Sequence, residues 1–124
     1  MNWWQWLLVG AAGAVGAPLR YLVDTLISRR IEGAFPLGTL VVNVSGSFVL
    51  GLLSGLAIYH GLPGTDKLVV GTGLVGAYTT FSTFSLETVT LFEEGETRLA
   101  AGDVIANGLV GAAAAAAGLA LAAL

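Results

Sequence analysis

The most unusual segment of the chain is Gly73-Leu74-Val75-Gly76-Ala77-Tyr78-Thr79-Thr80-Phe81-Ser82-Thr83-Phe84-Ser85, and the predicted fold depends on it. It lies in an apolar run without charged residues between Lys67 and Glu87, which is typical of a membrane-spanning helix. Its centre, however, carries glycine, threonine and serine where a lipid-facing helix would carry leucine. Backbone can leave the helix at membrane depth only where protein or a wet cavity covers it. Interrupted helices of this kind form ion and substrate sites in transporters, so the stretch predicts an ion pathway.

The overall composition is that of an integral membrane protein. The chain has 124 residues, of which 56% are hydrophobic and 10% are charged, whereas soluble domains carry about 25% charged residues. At about 20 residues per crossing, the length has room for about four helices and for no soluble domain. With no cysteine and one histidine, the chain excludes disulfides, thiolate metal sites, cysteine nucleophiles and multi-histidine metal sites.

Apolar runs separated by polar turns predict an all-α membrane protein with a single transmembrane domain, residues 1–124. Tryptophans at the start of the first helix are typical of an interfacial aromatic belt. Small residues in the second and fourth helices predict close helix packing. The predicted helices are 3–27, 37–59, 67–92 with a break near 76–80, and 99–124.

The orientation in the membrane is only weakly specified. Four spans would place Arg29, Arg30 and Arg98 in loops on one side of the bilayer and Lys67 on the other. The excess of positive charge would put the arginine loops in the cytoplasm. This excess is small and acidic residues share the same loops, so insertion in both orientations stays open.

Several polar side chains in or near the predicted spans have two interpretations each. Arg20 either steers anions toward a vestibule or extends its charged head to the membrane interface. Asn43 either donates to a permeating anion or forms an interhelical hydrogen bond, which is the more common role. Glu87 is a functional candidate as an intramembrane carboxylate, unless it already lies at the interface. Asp103 is expected to be a structural charge at the start of the fourth helix, and His60 to be solvated.

Phe81 and Phe84 are three residues apart and therefore share one helical face. Ordinary packing is the common role of such a pair, but aromatic ring edges are electropositive and can border an anion site. Ser82, Thr83 and Ser85 place hydroxyl donors beside the rings without a full positive charge. Uncharged donors suit a pathway, because conduction requires binding that is favourable but weak. A helix break would also expose carbonyls that a cation, a side chain or water must satisfy.

Three stretches resemble, in order, the signature stretches of the Fluc (CrcB) fluoride channels. The resemblance covers three of the four predicted helices, and the string Thr-Thr-Phe-Ser-Thr-Phe-Ser is highly specific. It implies a fluoride-selective passive channel that exports cytoplasmic fluoride through two pores of an antiparallel, dual-topology dimer in the plasma membrane. The stretches are Gly-Ala-Val-Gly-Ala-Pro-Leu-Arg-Tyr (13–21), Gly-Thr-Leu-Val-Val-Asn-Val-Ser-Gly-Ser-Phe-Val-Leu-Gly (38–51) and Gly-Ala-Tyr-Thr-Thr-Phe-Ser-Thr-Phe-Ser-Leu-Glu (76–87).

The resemblance also implies roles for individual residues. A structural sodium ion (Na+) at the dimer centre would be held by the main-chain carbonyls of Gly76 and Thr79. Asn43 matches the pore-lining asparagine of the family, and Arg20 matches its vestibule arginine. The residues expected to line the fluoride pathway are Asn43, Phe81, Ser82, Thr83, Phe84 and Ser85, with Glu87 as a further candidate.

The fourth helix departs from the family pattern. Asn107 is followed by Gly108 where a tyrosine is usual, and Gly111 and the alanine run 112–117 provide no hydroxyl group. This helix is therefore expected to lack the polar side chains that it contributes in the family. The chain then forms either a homodimer or a heterodimer with a paired homologue.

Other functions account for the sequence less well. A proton-coupled multidrug antiporter needs a carboxylate embedded in its first helix, but the first acidic residue here is Asp24, near the far end. A holin-like or assembly protein explains the small size but not the Phe-Ser-Thr-Phe-Ser face. The sequence contains no nucleophile–base pair or metal cluster for an enzyme, and no feature suggests a nucleic-acid partner.

Overall fold

The computed structural model describes all 124 residues and contains helices but no strands, which confirms the all-helical class. Three helices are long and apolar enough to cross a membrane, namely α1, α2 and α5. The chain between α2 and α5 forms two shorter helices, α3 and α4. The bounds are Trp3–Arg30 for α1, Leu37–Tyr59 for α2, residues 64–78 for α3, Phe81–Glu93 for α4 and Thr97–Ala122 for α5.

Helix α1 is the longest helix and extends three residues beyond its expected end at residue 27. At its start, the Asn2 backbone N–H donates to Gln5 Oε1 at 2.8 Å and so gains a partner that the helix cannot provide. Pro18 lies inside α1 without ending it. Arg29 and Arg30 occupy the last turn, where positive charge interacts favourably with the helix dipole.

Helix α3 is not a regular α-helix over its length. Gly64–Lys67 and Gly76–Tyr78 are α-helical, whereas Leu68–Val75 between them has the wider hydrogen-bonding pattern of a π-helix. The next two residues, Thr79 with φ −79° and ψ 161° and Thr80 with φ −148° and ψ 124°, have extended backbone. We call Thr79 and Thr80 the extended pair. They separate α3 from α4 at the place where the sequence contains its two adjacent threonines.

Helix α4 starts directly after the extended pair because Thr80 caps it. The Thr83 backbone N–H donates to Thr80 Oγ1 at 3.1 Å. Threonine is favoured at this position since its hydroxyl satisfies an N–H group that has no partner within the helix.

Two side-chain contacts join the helix ends on one side of the molecule. Gln5 Nε2 donates to Thr65 Oγ1 at 2.9 Å and links the start of α1 to the start of α3. His60 Nε2 lies 2.7 Å from the Ala122 carbonyl oxygen and links the end of α2 to the end of α5. His60 is exposed, as expected of a solvated loop residue, and its ring also binds a carbonyl at the end of α5, a contact that the sequence did not predict.

The helices approach each other closely at glycines. A Cβ atom at Gly51 of α2 would collide with the Ala115 carbonyl oxygen of α5, and one at Gly118 of α5 would collide with the Phe48 carbonyl oxygen of α2. Such contact between backbones is typical of transmembrane helix pairs. Only 17 of 124 residues are buried, so most apolar side chains face outward, where lipid or a partner subunit would cover them.

Candidate functional site

Asn43 of α2 forms hydrogen bonds with both backbone groups of Thr80. Its Nδ2 donates to the Thr80 carbonyl oxygen at 2.9 Å, and the Thr80 N–H donates to its Oδ1 at 2.9 Å. An extended residue between two helices cannot make helical bonds, and unpaired backbone groups are costly away from water. The Asn43 side chain therefore provides hydrogen-bond partners for both backbone groups of Thr80, as a neighbouring strand would.

The second hydrogen of Asn43 Nδ2 is also used within the protein, since Nδ2 donates to Asn107 Oδ1 of α5 at 3.1 Å. Both N–H groups of the amide are thus committed to protein acceptors. Of the two interpretations of Asn43 in the sequence, the structure shows the interhelical hydrogen bond.

The extended pair also changes the bonding of the preceding turn. In a continuous helix the Thr80 N–H would donate to the Gly76 carbonyl, but here it donates to Asn43. The Thr79 N–H and Oγ1 both donate to the Val75 carbonyl, at 2.9 Å and 3.1 Å. The Gly76 carbonyl is left without its helical partner at the exposed end of α3.

Gly46 of α2 makes room for the extended pair. A Cβ atom at this position would collide with Thr79 Cγ2 and would lie 3.5 Å from a ring carbon of Tyr78. Nearby, the Tyr78 hydroxyl and Ser45 Oγ are 3.0 Å apart. Glycine is therefore required on α2 for the chain to change direction against it.

A cavity of about 500 Å³ lies beside the extended pair. Phe81 and Phe84 form part of its wall, with ring centroids 5.8 Å apart and ring planes at 64°, an edge-to-face arrangement. Phe81 is 78% exposed, so the cavity is open on that side. Its polar and glycine lining consists of Asn43, Gly46, Ser47, Gly71, Gly76, Thr79, Thr80, Asn107 and Gly108.

A second cavity of about 150 Å³ also borders Thr80 and is lined by Arg20 and Asp24 of α1. Thr39 and Thr83 also line it, and Thr80 is the residue that it shares with the larger cavity. Thr80 Oγ1 lies 3.1 Å from Thr83 Oγ1 and 3.3 Å from Ser82 Oγ. We call Thr80, Ser82 and Thr83 the hydroxyl cluster. Thr80 thus borders both cavities and Thr83 lines the smaller one, whereas Ser82 is exposed and lines neither.

The remaining predicted site residues are distributed unevenly around these cavities. Ser85 lines neither of the two and is half-buried elsewhere on α4. Glu87 Oε1 accepts a hydrogen bond from Thr39 Oγ1 at 2.6 Å. Glu87 lines a third cavity of about 310 Å³ near the α1–α2 loop, together with Asp24 and Glu94. The structure thus places Ser85 and Glu87 away from the wall formed by the rings.

Asp103 is not at the start of its helix, so that prediction is wrong. It lies more than one turn inside α5 and is 0% exposed, whereas a helix dipole acts within the first turn. Its Oδ2 accepts from Thr88 Oγ1 at 2.7 Å, and its Oδ1 accepts from Asn107 Nδ2 at 2.8 Å. Asp103 and Asn107 are four residues apart and therefore share one helix face, and this spacing is the sequence signal that could have indicated the contact between them.

Thr80 is the residue at the centre of the site to which the sequence assigned no separate role. It lines both cavities, caps α4 and is held by Asn43. A threonine directly before an apolar helical run is a recognised N-cap signal, and this signal locates Thr80 without the structure.

Comparison with known proteins covers nearly the whole chain. The family described as CrcB-like protein, Camphor Resistance (CrcB), matches residues 7–119. The chain is 48% identical to a protein named fluoride-specific ion channel FluC 1 from Streptomyces avermitilis over 115 residues, 93% of each chain. It is 48% identical to a FluC 1 from Frankia casuarinae over 123 residues, 95% of each chain. It is 53% identical to a FluC 2 from Moorella thermoacetica over 92 residues, 73% of this chain and 74% of the relative.

Proposed function

This chain belongs to the CrcB-like protein family, and from that premise we propose that it is a fluoride-selective passive channel that exports fluoride from the cytoplasm. It is a multi-pass membrane protein of a channel family and not an enzyme. One observation carries the proposal beyond the family. The phenylalanine pair, the hydroxyl cluster and the extended pair meet around a single residue, Thr80.

We place the fluoride pathway along the two cavities that share Thr80. Arg20 would attract anions into the smaller cavity, which contains Thr83. The hydroxyl cluster and the edges of Phe81 and Phe84 would then replace the water around the ion. No lysine or arginine side chain lines the larger cavity, so its side chains would not hold fluoride by a full positive charge.

In this pathway Asn43 positions Thr80 rather than donating to fluoride. Both of its N–H groups already have protein acceptors, at 2.9 Å and 3.1 Å. An ion could recruit one of them only by breaking a bond to Thr80 or to Asn107. The contribution of Asn43 to conduction is therefore the placement of the extended pair between the cavities.

The residues expected to hold sodium fit that ion chemically. Gly76 has a carbonyl without its helical partner, and Thr79 lies outside any helix. Both line the larger cavity, which is open. Carbonyl oxygens at unwound helix segments coordinate sodium in transporters. When bound, the ion supplies a positive charge that would draw together the neutral carbonyls of two copies.

We infer that residues 64–93 form an interrupted third membrane span and that an inverted second subunit covers it. Phe81 is 78% exposed and Gly76 is also exposed in the single chain, which leaves the candidate site open to lipid. An antiparallel partner would close the site and generate two equivalent pores. The partner is a second copy of this chain or a paired homologue, and the numbered names FluC 1 and FluC 2 of the relatives support considering both.

A passive channel is sufficient for export. Hydrogen fluoride is a weak acid that crosses a bilayer as a neutral molecule and ionises in a less acidic cytoplasm. A negative interior then favours the exit of each fluoride ion by about 2.3 kcal/mol per 100 mV. The pore must exclude chloride, because chloride flux would dissipate this potential.

Substitution of Phe81 tests the proposed pathway. Phe81→Ile removes an electropositive ring edge from the larger cavity. We expect fluoride efflux from liposomes to fall by about two- to twelvefold, since an aromatic contact is worth about 0.5–1.5 kcal/mol beyond its area and about 1.4 kcal/mol corresponds to a factor of ten in rate. The matched control is Phe92→Ile, because Phe92 is an exposed phenylalanine of the same helix that lines neither cavity. Equal efflux from both variants would reject the assignment of Phe81 to the pore.

A further inference from the structure

We propose that Asp103 is a positioning residue that sets the direction of the two asparagine amides beside the extended pair and so holds Thr80 in place. Its effect on fluoride flux rests on the function proposed above. Its effect on the asparagine amides does not. Hydrogen bonds connect Asp103 through Asn107 and Asn43 to Thr80.

Asp103 is the polar side chain buried most completely. It is 0% exposed, and its carboxylate accepts hydrogen bonds from Thr88 and Asn107 at 2.7 Å and 2.8 Å. Neither partner carries a charge. A buried carboxylate without a positive partner is costly in an apolar surrounding, so a role that depends on its oxygen atoms explains its presence better than packing does.

Asp103 determines which way the Asn107 amide points. Asn107 Nδ2 donates to Asp103 Oδ1 at 2.8 Å and to the Asp103 carbonyl oxygen at 2.9 Å. Both atoms are acceptors, so only the NH₂ end of the amide can face them. The Asn107 Oδ1 atom must then point the opposite way, toward Asn43.

The orientation of the Asn107 amide in turn fixes the orientation of the Asn43 amide. Asn107 Oδ1 accepts from Asn43 Nδ2 at 3.1 Å, which leaves Asn43 Oδ1 facing the Thr80 N–H at 2.9 Å. If the Asn43 amide were turned around, its oxygen would face Asn107 Oδ1 and the Thr80 carbonyl, and its NH₂ would face the Thr80 N–H. Each of these contacts would be repulsive, so one direction satisfies the whole chain of bonds.

Because Thr88 can change its hydrogen-bond partner, the effect of the charge of Asp103 can be tested separately from the effect of the position of its oxygen atoms. The single hydroxyl hydrogen of Thr88 can go to Asp103 Oδ2 at 2.7 Å or to the Phe84 carbonyl at 2.9 Å. In Asp103→Asn the new NH₂ group would donate to Thr88 Oγ1, and Thr88 would donate to Phe84. The amide oxygen would still accept from Asn107, so this neutral variant preserves the direction. Asp103→Glu keeps the charge but moves the oxygen atoms by one methylene group.

Side-chain hydrogen exchange tests the proposal without reference to transport. The chain contains three asparagines, Asn2, Asn43 and Asn107, so protein labelled with [¹⁵N]asparagine gives one NH₂ pair for each. We expect the Asn43 pair to exchange at least about tenfold more slowly than the pair of exposed Asn2, the factor that one buried hydrogen bond confers. In Asp103→Asn the exchange rate of the Asn43 pair should stay within about threefold of its rate in the unmodified chain. In Asp103→Glu most of this protection should be lost.

The same variants are then compared for fluoride efflux from liposomes. We expect Asp103→Asn to conduct within about threefold of the unmodified chain and Asp103→Glu to conduct at least about tenfold more slowly. The reverse order would show that charge matters and would overturn the proposal, as would unchanged Asn43 protection in Asp103→Glu. If Asp103→Glu does not fold, loss of the Asn43 protection in Asp103→Asn would likewise overturn the proposal. Failure of the unmodified chain to conduct fluoride would reject the proposed function alone, because the exchange measurement still decides the role of Asp103.

Discussion

At the scale of single residues, Asn43 replaces hydrogen bonds that the backbone loses where α3 ends. One amide group satisfies both the N–H and the carbonyl of Thr80, each at 2.9 Å. A primary amide is the smallest neutral side chain that offers a donor and an acceptor side by side. In a membrane, where water is not present to substitute, this pairing allows two extended residues to lie between helices.

Replacement of Asn43 is expected to destabilise the chain strongly. Asn43→Ala leaves two backbone groups of Thr80 without partners, and each unsatisfied buried group costs about 1–3 kcal/mol. We therefore expect about 2–6 kcal/mol of lost stability and reduced fluoride efflux. The measurement is thermal unfolding in detergent, followed by efflux from liposomes.

The control for this prediction is Ser47→Ala. Ser47 lies one turn further along α2 and lines the same cavity, but its hydroxyl does not bond to the extended pair. We expect its stability to change by less than about 1 kcal/mol, as for substitutions outside a buried network. If Asn43→Ala were no less stable than Ser47→Ala, Asn43 would not support Thr80.

At the scale of elements, the conformation of the chain at residues 79–80 depends on its fit against α2. Gly46 lies opposite Thr79, and a Cβ atom there would collide with Thr79 Cγ2. The wider turns of Leu68–Val75 precede this contact, and the Thr80 cap follows it. Irregular backbone is thus matched by a gap in the neighbouring helix, as membrane packing requires.

Gly46→Ala is expected to displace the extended pair. Overpacking of this kind costs about 1–3 kcal/mol, which outweighs the gain of about 0.5–1 kcal/mol when alanine replaces glycine in a helix. We expect a lower unfolding temperature and slower fluoride efflux. Gly10→Ala is the matched control, since no atom lies within 4 Å of its added Cβ, and it should be neutral or stabilising. A Gly46→Ala protein as stable and active as Gly10→Ala would contradict the proposed fit.

The sequence allowed the helical elements to be predicted better than the contacts between them. Apolar runs and turn residues are local signals, and they identified the all-helical class that the structure confirms. The hydrogen bond from Thr88 to Asp103 joins residues on different helices, and no periodicity within one helix encodes such a pairing. The link between His60 and Ala122 was missed for the same reason, because the two residues are far apart in the chain.

At the scale of the whole molecule, the candidate site of the single chain is exposed on one side. Phe81, Phe84 and Gly76 line a cavity that is open to the outside. The basic residues are divided weakly between the two ends, with Lys67 at one end and Arg29, Arg30 and Arg98 at the other. This weak bias is compatible with insertion in both orientations, which an antiparallel dimer needs.

Labelling at one engineered cysteine is expected to reveal both orientations. The chain contains no cysteine, so Glu94→Cys, at an exposed position after α4, provides a single reactive site. In a dimer with a twofold axis parallel to the membrane plane, about half of the sites face each side. A membrane-impermeant maleimide should therefore label about half of the protein in intact cells and all of it after permeabilisation. Labelling of all or none in intact cells would exclude a dual-topology homodimer.

Sodium is expected to be required for activity of the assembled channel. Vesicles in which N-methylglucamine replaces sodium on both sides should lose fluoride efflux, because the large cation cannot reach the carbonyls of Gly76 and Thr79. Restoring sodium should recover the rate. Equal efflux after prolonged sodium removal would reject the proposed ion site while leaving the pathway at Thr80 intact.

The most direct test of the central claim is anion efflux from liposomes that contain this chain alone. Fluoride and chloride are followed in parallel with ion-selective electrodes after a potassium ionophore allows charge to balance. If uncharged hydroxyls and ring edges around Thr80 form a fluoride pathway, fluoride leaves rapidly while chloride stays at the level of protein-free vesicles. Chloride efflux as fast as that of fluoride, or no fluoride efflux from vesicles that contain correctly folded protein, would contradict the claim.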